Sequence, residues 1–448
     1  MQNKHKPGLR WTYSWLQRLV NVKASEVPVM LWAFFYFFAL LCSYYILRPM
    51  RDEMGIAGGV DNLQWLFTGT FLAMLTMVPL FGWLTSRYKR SIFLPSVYVF
   101  FIANLLLFYI LFSSDFAAVW VARAFFIWVS VFNLFVVSVF WSFMTDIFNN
   151  HQARRLFGFI AAGGTAGALV GPVLTAMLVK PLGSANLLLI SAVLLGWAVF
   201  CIRRMIAWRA AQNDSVATAS GSPEQPMGGS VLAGIRLVLQ SPYLLGIALL
   251  MLLFTTLATF LYFQQAQIIR DAFVDPSERT AVFAAIDLAV NLLTVLIQLF
   301  LTGRLIRWLG LSWTLALAPL LLGLGFMALA FSPVLAVLVV VQVIRRAGNY
   351  AIMRPSREML YVVLEREEKY KAKNFIDTTV YRGGDAVSAW IYTGLRSLGL
   401  GISGIAWLAV PLAGLWALLA YRLGRKQTQL AQAKLADNRN QRGSVDEY

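Results

Sequence analysis

Residues 29–47 read VMLWAFFYFFALLCSYYIL and contain no charged side chain. A helix rises about 1.5 Å per residue, so a run of this length covers most of the roughly 30 Å hydrocarbon core of a bilayer. Eleven further apolar runs follow, and the twelve form two groups of six separated by a more polar stretch at 203–242. The runs lie at 29–47, 63–84, 91–112, 117–145, 157–179, 185–202, 243–263, 280–301, 311–331, 334–357, 374–395 and 402–421. Because a backbone in lipid must pair its own polar groups, all twelve are predicted to be helices.

The composition also indicates a membrane protein. Hydrophobic residues make up 59% of the chain and charged residues 13%, and the mean hydropathy is +0.67. A soluble fold cannot bury this much apolar surface. The predicted fold class is therefore an all-α polytopic membrane protein with twelve transmembrane helices in two pseudo-symmetric six-helix halves. The predicted organisation is a basic, amphipathic cytoplasmic N-terminus (1–28), a first half (29–202), a cytoplasmic linker (203–242), a second half (243–422) and a cytoplasmic tail (423–448).

The positive charge is distributed unevenly along the chain. The net charge is +17, and 26 of the 38 Lys and Arg residues fall on the segments that share one side of the membrane with the N-terminus. Positive loops stay inside, so both termini are predicted to be cytoplasmic, in a bacterial inner (plasma) membrane. Because no recognition motif accompanies the charge, a nucleic acid is not expected as a partner.

Cysteine and histidine are scarce and poorly placed for chemistry. Cys42 and Cys201 lie in separate spans, whereas His5 and His151 lie outside the spans. This arrangement predicts no disulfide, no metal site and no cofactor. No nucleophile or acid–base pair is evident, so the chain is not expected to be an enzyme.

A few polar side chains interrupt the apolar runs. Charge inside a span is energetically expensive, and it usually faces a cavity or an ion-pair partner. The candidate substrate-binding residues carry a cationic or amide side chain in or beside a span: Arg48, Arg51, Asn133, Arg345, Arg346, Asn349, Arg354 and Arg357. The candidates for coupling or ion pairing are Asp287, Asn291, Arg382 and Asp385. Two interpretations stay open for Asp287, a structural partner of one of the arginines and a functional carboxylate.

Arg345 and Arg346 stand near the middle of the tenth run. They are expected to line a central cavity, where at least one attracts a negatively charged substrate. The alternative is that the helix starts earlier or bends, with one arginine in an ion pair.

A short pattern with two arginines occurs twice, as Arg48-Pro-Met-Arg51-Asp and as Arg354-Pro-Ser-Arg357-Glu. Two arginines three residues apart on a helix could clasp a carboxylate or phosphate together. The alternative is a pair of interfacial anchors with one ion pair.

The segment 161–172, AAGGTAGALVGP, is rich in glycine and alanine. It lacks the lysine and the preceding strand of a phosphate-binding loop. Small residues at this spacing predict close helix packing instead.

The two groups of six runs also echo each other in sequence. A shift of 216 residues places Arg155 on Lys371 and Asn133 on Asn349. A glycine followed by basic residues closes the second run and the eighth, at 82–90 and 303–310. This turn partly resembles the loop motif of the major facilitator superfamily, which implies alternating access around a shared cavity.

The segment 354–385 resembles the nucleotide (ATP/ADP) translocase family of plastids and intracellular bacteria and its wider bacterial relatives. Residues 45–52, 138–141 and 153–157 are similar to that family more loosely. The resemblance implies nucleotide antiport on a major facilitator superfamily-like fold. It also implies a gating loop that contains Arg155, Lys371, Lys373 and Asp377. The chain departs from the family's charged positions at Val129, Tyr262 and Gln265.

Together these observations predict a secondary active transporter that works by alternating access. The expected substrate is a small organic anion, with nucleotides as the leading case, and the expected partners are the lipid bilayer and a coupling proton or counter-substrate. A proton-coupled efflux carrier or a lipid or metabolite carrier is the alternative. A membrane-embedded enzyme or a receptor is disfavoured, and the sequence indicates no particular oligomeric state.

Overall fold

The computed structural model describes residues 22–87, 90–114, 117–213 and 231–443. All regular elements in these ranges are helices. The predicted amphipathic N-terminal segment up to residue 21, the linker at 214–230 and the end of the tail at 444–448 lie outside the described residues, and their predictions are not tested.

The described residues of the first half form five helices, the last of which is kinked. They are α1 Val27–Ala57, α2 Leu63–Arg87, α3 Arg90–Ser113, α4 Ala118–Ile147 and α5 Asn150–Asn213, with short 3-10 turns at Ala24–Glu26 and Val60–Asn62. α5 contains the fifth and sixth predicted runs. The two runs are separated at Gly183, two residues after Pro181. Gly183 has a φ of +78°, a value that residues with a Cβ rarely adopt. The kink therefore lies between the two runs, as their boundaries predict.

Nine α-helices lie in the described residues from 231 to 443. They are α6 Val231–Gln240, α7 Pro242–Ala272, α8 Pro276–Phe300, α9 Thr302–Phe331, α10 Leu335–Gly348, α11 Arg354–Leu360, α12 Arg366–Phe375, α13 Tyr381–Ser397 and α14 Ile402–Gly443. A π-helical turn, Asn349–Met353, joins α10 to α11, and a second, Ile376–Val380, joins α12 to α13. Single π turns are rare and often occur at functional sites. They interrupt the tenth and eleventh predicted runs, which contain the candidate site residues Arg345, Arg346, Arg382 and Asp385.

Ten helical segments of the described residues are long and apolar enough to span a membrane. One of them, His151–Ala210, is 60 residues long and holds two of the predicted runs. The predicted eleventh run corresponds to the end of α12, a π turn and α13, whose charged residues lower its hydropathy. The predicted all-α polytopic fold is confirmed.

The helices cluster into two compact units. Unit 1 comprises the described parts of 1–58, 76–223 and 275–288, and unit 2 comprises those of 59–75, 224–274 and 289–448. Unit 1 thus includes a segment from the second half of the chain, and unit 2 includes a segment from the first half. Residues 63–75 of α2 pack within unit 2, and residues 276–288 of α8 pack within unit 1.

Close backbone approach sets the packing of unit 1. A Cβ on Gly163 would lie 2.4 Å from the carbonyl oxygen of Phe34, and one on Gly167 would lie 2.3 Å from that of Phe38. Glycine at these positions lets α5 touch the backbone of α1. The predicted packing role of the glycine run is therefore confirmed.

In unit 2, glycine is used at two helix crossings. A Cβ on Gly424 of α14 would lie 2.5 Å from the Cα of Ser312 in α9, and one on Gly384 of α13 would meet Thr255 of α7 at the same distance. The second crossing also contains a hydrogen bond of 2.9 Å between the hydroxyls of Thr256 and Ser388. This crossing carries polar groups into the middle of the unit.

Candidate functional site

Two ion pairs join α1 to the start of α8 within unit 1. α1 continues to Ala57, ten residues beyond the end of the first apolar run, so Arg48 and Glu53 both lie inside the helix. Nε of Arg48 lies 3.6 Å from Oδ2 of the buried Asp287. Nε and Nη2 of Arg279 donate to the two carboxylate oxygens of Glu53 at 2.8 Å each. We call these contacts the α1–α8 ion pairs.

The sequence analysis did not select Glu53 or Arg279. Both residues lie outside the predicted apolar runs: Glu53 follows the first run, and Arg279 immediately precedes the eighth. The spacing of Arg279 and Asp287 carries a usable signal, because residues eight apart differ by about 80° around the helix axis and so lie on the same half of the helix.

The other arginine near the end of α1 binds a different neighbour. Nε of Arg51 donates to the carbonyl oxygen of Phe126 at 3.3 Å and to Oγ of Ser130 at 3.1 Å, and Nη1 donates to Asp52 at 3.1 Å. Its guanidinium lies 3.9 Å from the ring centroid of Phe126. Arg48 reaches α8 while Arg51 reaches α4, because residues three apart still differ by about 60° around a helix axis. Arg48 thus contacts Asp287 and Arg51 contacts Ser130 and Asp52, while the clasp of one anion by both arginines stays a prediction.

Asn133 lies on α4 and is half-buried. It lies three residues beyond Ser130, which accepts a hydrogen bond from Arg51. Arg123 lies near the start of α4, and its Nε donates to the carbonyl oxygen of Gly58 at 2.9 Å. This bond caps the last turn of α1, which gives Arg123 a structural role.

A chain of amides leads to Arg345 within unit 2. Oε1 of Gln342 accepts from both Nε and Nη2 of Arg345, at 3.1 and 2.9 Å. Nε2 of Gln342 donates to Oε1 of Gln265 on α7. Both glutamines are buried, with exposed fractions of 1% for Gln342 and 3% for Gln265. We call these three side chains the amide relay, of which the sequence analysis selected only Arg345.

The start of α13 adds a second group of charges to unit 2. Nη1 of Arg382 lies 3.6 Å from Oδ2 of Asp385, and Oγ1 of Thr259 donates to Oδ1 of Asp385 at 3.5 Å. Tyr381 lies within electrostatic reach of Asp385, Arg382 and Arg345. The structure therefore brings three sequence-predicted residues, Arg345, Arg382 and Asp385, into one neighbourhood.

Other predicted residues lie close to this group along the chain. Arg346 is buried, with an exposed fraction of 6%, and Asn349 begins the π turn after α10. Asn291 is buried one turn beyond Asp287 on α8. The boundary between the units passes between Asp287 and Asn291, which belong to units 1 and 2 respectively.

A further charge cluster joins α11 to α12 and its π turn. Nη2 of Arg357 lies 3.1 Å from Oδ1 of Asp377, and Nζ of Lys373 donates to Oε2 of Glu358 at 2.5 Å. Tyr361 is fully buried beside this cluster, and burial raises the pKa of its hydroxyl well above the ordinary value. Arg357, Lys373 and Asp377 are thus brought together, whereas Arg354 is exposed and Lys371 is half-buried.

Arg155 takes part in a separate cluster at the start of α5. Nη2 of Arg155 donates to both carboxylate oxygens of Glu26, at 3.1 and 3.2 Å. Nε2 of Gln152 donates to Oε1 of Glu26 at 3.0 Å. Burial raises the pKa of the Glu26 carboxyl, but hydrogen bonds from Gln152, the Lys23 backbone and Arg155 outweigh it, so the net pKa lies below the ordinary 4.5. The cluster fixes the N-terminal end of α1 to α5.

Among the described residues, no group of three or more His, Cys, Asp or Glu side chains could hold a metal ion. The site instead offers guanidinium groups held by amides, hydroxyls and carboxylates. Such groups bind carboxylates and phosphates through paired hydrogen bonds.

Known proteins with a similar sequence include carriers of nucleotides. The chain is 26% identical over 246 residues to "ADP,ATP carrier protein 1" of Chlamydia muridarum, which covers 48% of this chain and 46% of that one. It is 24% identical over 222 residues to the protein of the same name from Chlamydia pneumoniae, covering 44% and 43%. The chain therefore spans less than half the length of these curated relatives.

Solved structures share the fold at much lower identity. The nucleoside transporter NupG superposes with a TM-score of 0.60 at 14% identity, covering 90% of this chain and 98% of that one. A bacterial homologue of the iron transporter ferroportin, in an inward-facing state, superposes with a TM-score of 0.61 at 15% identity, covering 90% and 98%. The model of the family "Major Facilitator Superfamily" matches residues 29–357, most of the membrane region and well over half of the chain. The chain belongs to the Major Facilitator Superfamily.

Proposed function

We propose that this protein is a secondary active transporter that moves a small organic anion by alternating access. Nucleotides are the leading substrate class, and exchange of one nucleotide for another is the leading mode. Membership of the Major Facilitator Superfamily and the similarity to proteins named ADP,ATP carriers support this proposal. The departures at Val129, Tyr262 and Gln265 make the substrate the finer part of the proposal.

The observation that carries the proposal is the setting of Arg345. It lies ten residues into α10, about 15 Å along the helix and so near the middle of the hydrocarbon layer. A guanidinium at that depth is expensive unless a partner or a ligand offsets its charge. Gln342 accepts two hydrogen bonds from this guanidinium, at 3.1 and 2.9 Å. Arg345, Arg382 and Asp385 together have a formal charge of +1, which favours an anionic ligand.

The ion pairs offer a basis for gating. The α1–α8 ion pairs hold the first part of α8 within unit 1, and the pair Arg357–Asp377 holds α11 to the π turn before α13. Transport by alternating access requires contacts that form in one state and break in another. We therefore assign gating roles to these pairs, and to the contact of Arg155 with Glu26.

The proposal includes a membrane orientation. Both termini and the linker at 203–242 are cytoplasmic, in a bacterial inner membrane, because the basic residues concentrate on that side. Reporter fusions at Thr218 and Tyr448 test this orientation. An external signal from either fusion would overturn it.

Uptake into proteoliposomes tests the function. The purified protein is reconstituted, preloaded with unlabelled ADP, and offered labelled ATP, ADP, glucose 6-phosphate or a fluorescent lipid. We expect accumulation of at least one phosphorylated compound, faster with internal counter-substrate than without it. Accumulation of the lipid alone, or of none of these compounds by a folded protein, would refute the proposal.

Variants of the two adjacent arginines refine the test. Residues next to each other differ by about 100° around a helix, so Arg345 and Arg346 need not serve the same role. We expect Arg345→Gln to weaken substrate binding and to reduce its salt dependence. If both Arg345→Gln and Arg346→Gln bind substrate like the wild type, the anion site is not on α10.

The setting of Asp385 favours one alternative, a proton-coupled carrier. This carboxylate lies beside Arg382 and Thr259 inside unit 2, where a change of protonation would alter the local charge. A pH gradient that drives uptake without any counter-substrate would support this alternative over exchange.

A further inference from the structure

We infer that unit 1 binds an anionic phospholipid of the surrounding bilayer, at the place where α1 begins and the sixth predicted run of α5 ends. The lipid phosphate binds Arg203 and Arg204, and an acyl chain lies against the rings of Trp32, Trp197 and Phe200. We call these five side chains the lipid patch. The inference goes beyond the proposed transport function and does not depend on the transported substrate.

Three aromatic rings from two helices form the apolar part of the lipid patch. The ring centroid of Trp32 on α1 lies 6.3 Å from that of Trp197 and 5.6 Å from that of Phe200, both on α5. The rings of Trp197 and Phe200 are 5.3 Å apart. Trp197 and Phe200 are exposed, whereas Trp32 is half-buried between them and the core. The three rings therefore form one continuous aromatic surface.

This surface faces lipid. From residue 187 to residue 202, the exposed positions of α5 are Val193, Gly196, Trp197 and Phe200. None of these four carries a charge or an amide, as a side chain facing an aqueous cavity often does. Tryptophan rings are also enriched where a span meets the lipid headgroups. The aromatic surface therefore suits the upper part of an acyl chain.

Two arginines supply the polar part of the lipid patch. Arg203 and Arg204 follow the last residue of the sixth predicted run, and both are exposed. Cζ of Arg204 lies 5.1 Å from the ring centroid of Phe200, one helical turn deeper in the span. Within the described ranges, neither arginine has a carboxylate within 4 Å. Guanidinium groups donate paired hydrogen bonds to phosphate oxygens, so this end of the patch suits a phosphodiester.

Contacts beyond the membrane boundary hold the two helices together at the lipid patch. Nε1 of Trp208, one turn after Arg204, donates to the carbonyl oxygen of Ser25 at 3.2 Å. Ser25 lies in the short turn before α1, beside Glu26, whose carboxylate is bound by Arg155. The ends of α1 and α5 are thus fixed to each other on the side where the arginines lie. A lipid that binds there meets a surface that is already formed.

The order of the side chains along α5 matches the two chemical parts of a phospholipid. Rings lie inside the span and guanidinium groups lie at its end, as do acyl chains and phosphates in a leaflet. In the proposed orientation this end faces the cytoplasmic leaflet. Basic pockets between helices on that side bind anionic lipid headgroups.

The second half of the chain has no such surface at the corresponding positions. Under the shift of 216 residues, Trp197 falls on Ala413, Phe200 on Trp416 and Arg204 on Ala420. All three of these second-half residues are buried. The fold therefore forms without exposed rings and a guanidinium at these positions, so their presence in unit 1 needs another reason. Lipid binding supplies that reason.

The test measures lipid retention by the purified full-length protein in native mass spectrometry, with phosphatidylglycerol and phosphatidylcholine titrated in separate experiments. We expect the wild type to retain one phosphatidylglycerol more tightly than any phosphatidylcholine. Arg204→Gln should lower the affinity for phosphatidylglycerol about five- to tenfold, the size expected for one cationic side chain at a membrane surface. Arg204→Lys should lose less, because it keeps the charge. Trp197→Leu should weaken the binding of both lipids.

Arg422→Gln is the matched control. Arg422 is also exposed and directly follows the twelfth predicted run, as Arg203 and Arg204 follow the sixth, but it lies outside the lipid patch. We expect this variant to change the affinity for phosphatidylglycerol far less than Arg204→Gln does. Equal losses in the two variants would show that diffuse positive charge attracts the lipid, and the inference would fail.

Two further measurements decide whether the occupant is a lipid and where it binds. Soluble glycerol phosphate should bind much more weakly than phosphatidylglycerol, because it has no chain to cover the rings; equal affinity would assign the arginines to a free phosphate and overturn the inference. Phosphatidylglycerol with a photoreactive acyl chain, in vesicles that contain the wild-type protein, should label the segment 193–204. Labelling that misses this segment would refute the site even if a variant failed to fold.

Discussion

Loss of the Glu53 carboxylate should destabilise the protein far more than loss of a neighbouring exposed carboxylate. Glu53 binds Arg279 through two hydrogen bonds of 2.8 Å, and the exposed fractions of the two side chains are 1% and 12%. Glu278, which precedes Arg279 in the sequence, binds Lys180 through one contact of 3.1 Å. The exposed fractions of these two side chains are 42% for Glu278 and 59% for Lys180. The two pairs lie on the same turn of α8 and differ mainly in burial and geometry.

The expected magnitudes follow from that difference. Removal of one partner from a buried, bidentate ion pair costs about 3–5 kcal/mol, because the remaining charge is left buried without compensation. Glu53→Gln keeps one acceptor for Arg279, so we expect about 3 kcal/mol. An exposed pair is worth about 0–1 kcal/mol, so Glu278→Gln should cost less than about 1 kcal/mol. The double variant Glu53→Gln/Arg279→Gln should regain part of the loss, since no charge then stays buried.

The free energy of unfolding can be measured in mixed micelles of a mild detergent and dodecyl sulfate. Cys42 and Cys201 are both buried and unoxidised, so their labelling by a thiol-reactive fluorophore reports the loss of packing in unit 1. Equal costs for Glu53→Gln and Glu278→Gln, to within about 0.5 kcal/mol, would show that the buried pair has no special weight. A double variant less stable than either single variant would show that Glu53 and Arg279 act independently.

Three further changes test other parts of the structure. Asp287→Asn should reduce transport more than it reduces the amount of protein in the membrane, because it removes the negative charge that faces Arg48. Normal uptake at normal abundance would show that this carboxylate has no functional role. The folded-state pKa of Glu26 is lowered, so the stability that its contact with Arg155 provides should be present at neutral pH and should decline as pH falls from the ordinary 4.5 through the lowered value. Glu26→Gln should accordingly be less stable than the wild type at about pH 7, and this difference should shrink as the pH falls below 4.5; a difference that does not change with pH would contradict this assignment. Gly167→Ala should destabilise unit 1 by about 1–3 kcal/mol, since the added Cβ would lie 2.3 Å from the backbone oxygen of Phe38. Gly196→Ala is the control and should have little effect, because a Cβ there would meet no atom within 4 Å. Similar melting temperatures for the two variants would argue against the close crossing of α1 and α5.

Much of the architecture could be predicted from local properties of the chain. The length and hydropathy of the runs predicted the spans, and Gly183 and Pro181 lie where the fifth and sixth runs were separated. The glycine run at 161–172 predicted a close helix crossing. These signals are local, because a bilayer constrains each span separately through its thickness and its lack of hydrogen-bond partners.

Partly polar segments were harder to delimit. The first run was predicted to end at Leu47, yet α1 continues through two arginines and Glu53 to Ala57. Hydropathy falls at Arg48, but the helix continues past this residue, because contacts with α4 and α8 satisfy the charged side chains. The eleventh run was predicted as a simple span and instead contains a π turn. Hydrophobic patterns give no information about such partners.

Hydropathy and charge along the chain were enough to predict the fold class and to identify a set of charged residues within the spans. Which of these residues meet depends on how the helices pack. In the fold, Asp287 lies beside Arg48, Arg51 donates a hydrogen bond to Ser130 on α4, and Gln342 accepts one from Arg345. The physical reason is that lipid insertion depends on the sum of transfer free energies along one segment, whereas a pair of buried polar groups depends on the relative position of two segments far apart in the chain.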